Sequence, residues 1–264
     1  MTATKCWLRV SLPPSFSVKS DHMKSQALRG EYALVGMAES AVGVVPDKSP
    51  RELCVEVTLN AVKDAGLTLA DCDGLITCNA FAEPILYHAE AVAEYLGWQP
   101  RHCVTVNTGG GTTFMAINMA IAAIAAGMAD TIVVSMADSL RSFMTRDQAM
   151  VVQSSSGHPH YEQPYGPTVP AYYALIARAH MDRFGTTEAQ FAEAAVSCRA
   201  WANQHPNAQK RELITVNDVL QSRPIADPLK VLDCSLVSDG GAAVVITRRE
   251  RAQEGPHQPI YVLG

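Results

Sequence analysis

The sequence predicts an α/β fold, a mixed, mostly parallel sheet covered by helices on both faces. Three observations predict it. Short apolar runs alternate with longer amphipathic segments, glycines close most of those longer segments, and capping residues open several of them.

Taken in order, Tyr32–Met37 is a short apolar run ending in small residues and reads as a buried strand. Ser49 then stands as N-cap before Pro50, which opens a helix Pro50–Ala65 that stops at Gly66. Asp73–Cys78 is the second strand, and Pro84–Leu96 is a helix closed by Gly97. His102–Val106, the third strand, runs into Asn107-Thr108-Gly109-Gly110-Gly111-Thr112-Thr113 and a small-residue helix from Thr113 to Ala126. Thr131–Met136 is a fourth, fully apolar strand. Residues 138–170, rich in Ser, Gly, Pro, His and Tyr, break the rhythm and read as a long excursion from the sheet; such loops in compact domains are functional or disordered. Two amphipathic helices follow, Ala171–Phe184 and Thr187–Gln204, so that about 138–204 forms an insertion capping one end of the sheet. Thr215 caps a short helix to Gln221, Ala242–Thr247 is a strand, and Pro259–Leu263 begins another.

Residues 1–30 show no period and no apolar run, and read as a disordered lead or as sequence upstream of a true start at Met23. Residues 31–264 then form one domain, and its unfinished apolar last strand points to a missing second half. With 48% hydrophobic and 18% charged residues the chain has an ordinary globular core. A net charge of -5 offers no basic patch for nucleic acid. The seven cysteines are scattered, an odd count that fits reduced thiols in a cytoplasmic protein. Cys72 and Cys78 have no second pair to complete a zinc site, so no metal is expected. The Ala-rich run Met115–Met128 is bounded by Asn107 and Asp130, which argues against a membrane span.

The junction at 103–113 has a mechanical reading of its own. Three glycines permit close backbone approach and positive φ, and the helix N-terminus that follows presents free N–H groups suited to an anion or a nucleophile. A plain packing turn is the competing reading. A dinucleotide fingerprint fails because Phe114 stands where its last glycine belongs, and a phosphate-binding Walker loop fails for want of its Lys.

Five stretches, in order, resemble the thiolase superfamily, particularly its sterol-carrier-protein-type or lipid-transfer branch. They are Ala33–Ser40 with the helix Pro50–Gly66, Val104–Thr113, Pro164-Tyr165-Gly166-Pro167 leading into Ala171–Phe184, Ile225-Ala226-Asp227-Pro228-Leu229, and Leu232–Ala243. The resemblance covers roughly 31–264 and implies a thiolase-like N-terminal domain with a helical loop-domain insertion, its C-terminal counterpart absent. In that family a cysteine at the start of the central helix attacks the acyl-CoA. The matching position here is Thr108, whose hydroxyl stays protonated at neutral pH without a strong base, and Cys103 lies too early in the preceding strand to replace it. The family's catalytic His motif and second Cys belong to the other half, so the oxyanion hole cannot be assembled from this chain alone.

The resemblance therefore implies an acyltransferase or a carbon–carbon lyase (a retro-aldolase) of lipid or steroid degradation, inactive without a C-terminal half or partner. Coenzyme A thioester is its substrate, and no cofactor is permanently bound. A homodimer pairing through strand 102–106 is implied, and a small OB-fold partner subunit is left open. The alternatives are a non-catalytic lipid-CoA carrier and a truncated pseudoenzyme. Thr108 and Tyr165 are the candidate catalytic residues, the second because it sits in the family-like Pro-Tyr-Gly-Pro stretch. Gly109, Gly110, Gly111, His158 and His160 are candidates for holding the CoA or acyl group, with a solvated loop as the competing reading for the two His. Asp233, Ser238 and Asp239 read as capping and turning residues. Met115, Ala116, Met119, Ala120 and Ala123 give the central helix an apolar face for core packing.

Overall fold

The computed structural model describes residues 28–264 apart from Ser156 and Pro167. Residues 1–27, which include Met23 and most of the expected lead, lie outside the described residues, as does Pro167 of the family-like stretch. In chain order the strands are β1 (Tyr32–Glu39), β2 (Gly74–Thr77), β3 (His102–Thr105), β4 (Thr131–Ser139), β5 (Pro224–Ala226), β6 (Leu229–Lys230), β7 (Asp239–Arg248) and β8 (Ile260–Tyr261). The helices are α1 (Pro50–Asp64), α2 (His88–Tyr95), α3 (Thr112–Ala125), α4 (Leu140–Phe143), α5 (Arg146–Ser155), α6 (Val169–Phe184), α7 (Glu188–Gln204), α8 (Val216–Gln221) and α9 (Arg249–Ala252).

Six strands form one sheet in the order β3-β2-β4-β7-β1-β8, and β5 pairs with β6 as a separate hairpin. β1 to β4 point one way: β2 pairs in parallel with β3 and β4, and β1 lies beyond β7. β7 runs antiparallel between β4 and β1, and β8 is antiparallel to β1. The central position and reversed direction of β7 are not in the sequence pattern. A continuous apolar run reports burial on both faces and carries no sign for strand direction.

Alternate residues of a strand face opposite sides, and the two faces carry separate apolar layers. Ala33, Val35, Leu75, Val133 and Val245 pack with Leu53 and Val57 of α1 and Val92 of α2. Tyr32, Ile76, Ile132, Val134 and Ile246 pack instead with Ala116, Ala120 and Ile124 of α3. Each buried Val, Leu or Ile contributes about 1.5–3 kcal/mol over leaving it exposed, so packing on both faces fixes the sheet. The Ser49 cap is present in full: Ser49 Oγ accepts from Glu52 N at 3.2 Å, and Glu52 Oε2 accepts from Ser49 N at 2.8 Å. Gly36 is needed because α1 crosses β1 so closely that an added Cβ would stand 2.5 Å from Ala61 O.

Three expectations change. The helix expected from Pro84 begins at His88, since Asp138 accepts from Phe81 N at 2.7 Å and Ala82 N at 3.2 Å and holds residues 78–87 as a loop. The expected excursion at 138–170 contains α4 and α5. Its missed signal is a capping box, with Thr145 Oγ1 accepting from Gln148 N at 3.2 Å and Gln148 Oε1 accepting from Thr145 N at 2.9 Å. On α3, Ala116, Ala120 and Ala123 are buried as expected, but Met115 is 44% exposed beside an exposed Phe114.

Candidate active site

The junction after β3 is shaped by one threonine. Thr112, the first residue of α3, accepts from Thr108 N through Oγ1 at 3.0 Å and donates its hydroxyl to Gly109 O at 2.6 Å. This latch folds the loop back over the helix end and leaves Thr108 exposed at its crest. Of the three glycines, Gly109 alone takes positive φ, at 67°. A Cβ added at Gly109, Gly110 or Gly111 would meet nothing within 4 Å. The loop therefore faces open space, and α3 begins without a side-chain cap at Gly111, so its dipole end is presented to that space.

A cavity of about 540 Å³ lies there, bounded by Gly109, Thr112, Cys78, Asn79, Asp138 and Ser238 among others. Cys78, which the sequence reading set aside, comes to this cavity from the end of β2. Burial raises the Cys78 thiol, the hydrogen bond with Thr112 works against that, and Asp138 adds to it, so Cys78 is a neutral thiol rather than a ready nucleophile. Cys103, pushed up to about 11 by burial and by Glu90, lines a different cavity with Glu90 and Trp98.

Asp239 does more than turn the chain. It is 1% exposed, and its carboxylate accepts from Val45 N at 2.8 Å, Arg141 N at 2.7 Å, Ser142 N at 3.0 Å and the Ser142 hydroxyl. Burial alone would raise this carboxyl. The Ser142 hydroxyl and the N–H groups of Val45, Ser142 and Arg141 outweigh burial and hold it below the ordinary carboxylate range. Asp138, on the other wall, is likewise occupied by the N–H groups of Phe81, Ala82 and Ser139. Both carboxylates fix loops, and neither is free to act as a base.

Beyond the Asp239 wall lies a second cavity of about 440 Å³, lined by Val44, Leu140, Met144, Met150, Ile225 and Val237 with Arg141. The two are neighbours along the chain: Val42 borders the first and Val44 the second, Ser238 the first and Val237 the second. A third concavity shares Leu140 and Val237 with the second and Ser238 with the first.

The expected site residues divide accordingly. Thr108, Gly109, Gly110 and Gly111 form one loop at the α3 end. Tyr165 is 85% exposed at the end of a 3-10 turn and borders neither cavity. His158 and His160 are exposed in the turn after α5, where His158 Nδ1 accepts from His160 N at 3.2 Å, and the fold does not bring them to Thr108. Among the described residues no group of His, Cys, Asp or Glu is placed to hold a metal ion. No helix among them is long and apolar enough to cross a membrane.

A central mixed sheet, helices on both faces, and a glycine loop at the start of a central helix define an α/β protein of the thiolase fold. The chain belongs to the family described as thiolase, N-terminal domain, whose model matches residues 33–250. It is 31% identical over 235 residues to an acetyl-CoA acetyltransferase of Methanothermobacter thermautotrophicus, covering 88% of this chain and 61% of that protein. It is 31% identical over 244 residues to the 17-hydroxy-3-oxo-4-pregnene-20-carboxyl-CoA lyase of Mycobacterium tuberculosis, covering 89% and 62%. A steroid side-chain-cleaving aldolase of Thermomonospora curvata is 32% identical, with 90% and 62% covered. Among solved structures, an Ltp2-ChsH2(DUF35) aldolase superposes with a TM-score of 0.77 at 32% identity, over 90% of this chain and 60% of that one. Human mitochondrial 3-ketoacyl-CoA thiolase in complex with CoA shares the fold, with a TM-score of 0.64 at 16% identity, over 86% and 66%. The chain thus spans about three fifths of the length of the curated relatives it matches.

Proposed function

We propose that this chain is the acyl-binding half of a thiolase-fold carbon–carbon lyase acting on a bulky coenzyme A thioester in lipid or steroid degradation, with no covalent acyl intermediate. The observation that carries it is the apolar cavity of about 440 Å³ beyond the wall held by Asp239, which itself borders the cavity at the α3 end. A group as small as acetyl needs no such space, whereas a fused-ring or long-chain acyl group does. The names of the lyase and aldolase relatives support the same reading. In a retro-aldol step the β-hydroxyl gives up its proton and the Cα–Cβ bond breaks. The electron pair moves onto the thioester enolate, which is protonated at Cα, and no acyl group passes through an enzyme thiol. The acid and base are supplied by a second half or partner, because Asp138 and Asp239 are both occupied by backbone N–H groups. A homodimer through β3, which forms one edge of the sheet, a small OB-fold partner and a cytoplasmic location belong to the same proposal.

The complex isolated from its native cells provides the test. Thr108→Ala is expected to leave cleavage of a β-hydroxyacyl-CoA within about tenfold, whereas loss of a true nucleophile costs about 10⁴-fold or more. A loss of that larger size, or an acyl group trapped on the chain, overturns the non-covalent reading. Val44→Trp, at the exposed edge of the apolar cavity, is expected to weaken a steroid-CoA at least tenfold (about 1.4 kcal/mol) and leave acetyl-CoA unchanged.

A second reading, a lipid-CoA carrier without turnover, draws on the same two occupied carboxylates. Tight acyl-CoA binding by the native complex with no cleavage product selects it.

A further inference from the structure

The loop at 78–87 brings Cys78, Asn79 and Phe81 into the wall of the cavity at Thr108. Its two ends are set by regular structure, since β2 stops at Thr77 and α2 starts at His88, where His88 Nδ1 lies 3.0 Å from the Thr77 hydroxyl. Ala89 N donates to Thr105 Oγ1 at 2.9 Å, which ties the start of α2 to the end of β3. The middle of the loop is held by two charged groups. Asp138, near the end of β4, accepts from Phe81 N and Ala82 N. Arg51, in the first turn of α1, donates from Nη2 to Glu83 Oε1 at 2.6 Å. The Arg51 guanidinium carbon also stands 4.3 Å from the centre of the Tyr95 ring at the end of α2.

Arg51 is badly placed for its own helix. It is the second residue of α1, where the positive end of the helix dipole disfavours a cation. What it gains lies outside the helix: a charge-assisted hydrogen bond to a carboxylate, and the face of an aromatic ring. The Arg51 side chain is 22% exposed and that of Glu83 30%. Ion pairs open to water contribute little, whereas one this enclosed is weakly screened, and removing either partner strands the other charge. Arg51 is not among the residues that bound the cavity. Its influence there runs through Glu83, two residues past Phe81.

We propose that Arg51 is a positioning residue for the acyl-CoA site, its pair with Glu83 fixing Phe81 and Asn79 in the wall of the Thr108 cavity. This rests on the reading of that cavity as the place where the thioester reacts. Without the guanidinium, the Glu83 carboxylate turns out to water and the middle of the loop keeps only its tether to Asp138. Misplacing a substrate by about 1 Å costs up to about 100-fold in rate, even when the cause lies far from the chemistry.

Arg51→Met keeps an unbranched side chain and removes its charge, and Glu83→Gln removes the partner charge at the same size. Both are tested in the native complex, singly and together. Hydrogen exchange of the amides in 78–87 is expected to speed up at least about threefold in each single variant and no further in the double, with the α3 amides unchanged. For cleavage of a β-hydroxyacyl-CoA, KM is expected to rise at least about fivefold in both single variants, with kcat changing less. Arg51→Lys, which keeps the charge, is expected to raise KM less than Arg51→Met. A chain that is merely destabilised loses kcat with its folded fraction and keeps its KM. Unchanged exchange in 78–87, or faster exchange with an unchanged KM, overturns the proposal. A wild-type complex that cleaves no β-hydroxyacyl-CoA sinks the lyase reading by itself, and the dissociation constant of the same acyl-CoA then replaces KM in the comparison. A rise of about fivefold in that constant upholds the positioning role, and an equal value overturns it.

Discussion

Replacing Asp239 by alanine removes the acceptor for three backbone N–H groups and one hydroxyl, drawn from Val45, Arg141 and Ser142. Each buried donor left unpaired costs about 1–3 kcal/mol. Three backbone donors at the low end of that range give about 3–5 kcal/mol, a large share of the roughly 5–15 kcal/mol that holds a domain folded. In urea, with a slope of about 3 kcal/mol/M, the unfolding midpoint falls by about 1–1.7 M. Asp239→Asn keeps one acceptor oxygen but turns an amide N–H₂ toward the remaining donors, and is expected to lose about half as much. The pH arm has a definite sign. The folded-state pKa of Asp239 is depressed, so its contribution is present above the unfolded value of about 3.9 and is lost as pH falls through the folded one. The gap between wild type and Asp239→Asn therefore closes below about pH 4. A midpoint shift under about 0.3 M for Asp239→Ala, on the same slope, would refute the claim that this carboxylate holds the wall between the two cavities.

Two further outcomes follow from packing and burial. Gly36→Ala forces α1 away from β1 against Ala61 O and Ala65 N, and is expected to cost about 1–3 kcal/mol, or about 2–4 °C of Tm per kcal/mol by calorimetry; an unchanged Tm means that α1 does not sit this close. Burial pushes Cys54 up to about 11 and Cys72 up to about 12, so at pH 7.5 a maleimide is expected to label the exposed Cys198 at least about tenfold faster than either, measured by peptide mass mapping. Equal labelling in the folded protein would contradict the burial of those two thiols.

Most elements were legible because their signals are local. Ser49-Pro50 states a helix start, Gly66, Gly97 and Gly127 state three stops, and the apolar run Thr131–Met136 states a strand buried on both faces. The loop at Thr108 was legible for the same reason, since glycines before a helix have a backbone meaning that needs no partner. The site was legible only in part. His158 and His160 were chosen by residue type and Tyr165 by its place in the Pro-Tyr-Gly-Pro stretch, and whether an exposed turn reaches a cavity depends on how α5 and α6 lie on the sheet.

By itself the sequence determined the alternation of strands and helices, most of the caps, the apolar faces and the glycine loop before α3, because these depend on neighbours within a few residues. Tertiary structure alone decided that β7 enters between β4 and β1, that Cys78 meets Thr112, and that Asp239 reaches back to Val45 across the sheet. Those pairings join residues from 34 to 194 positions apart. They are selected by the total burial of the folded chain, which no local pattern encodes.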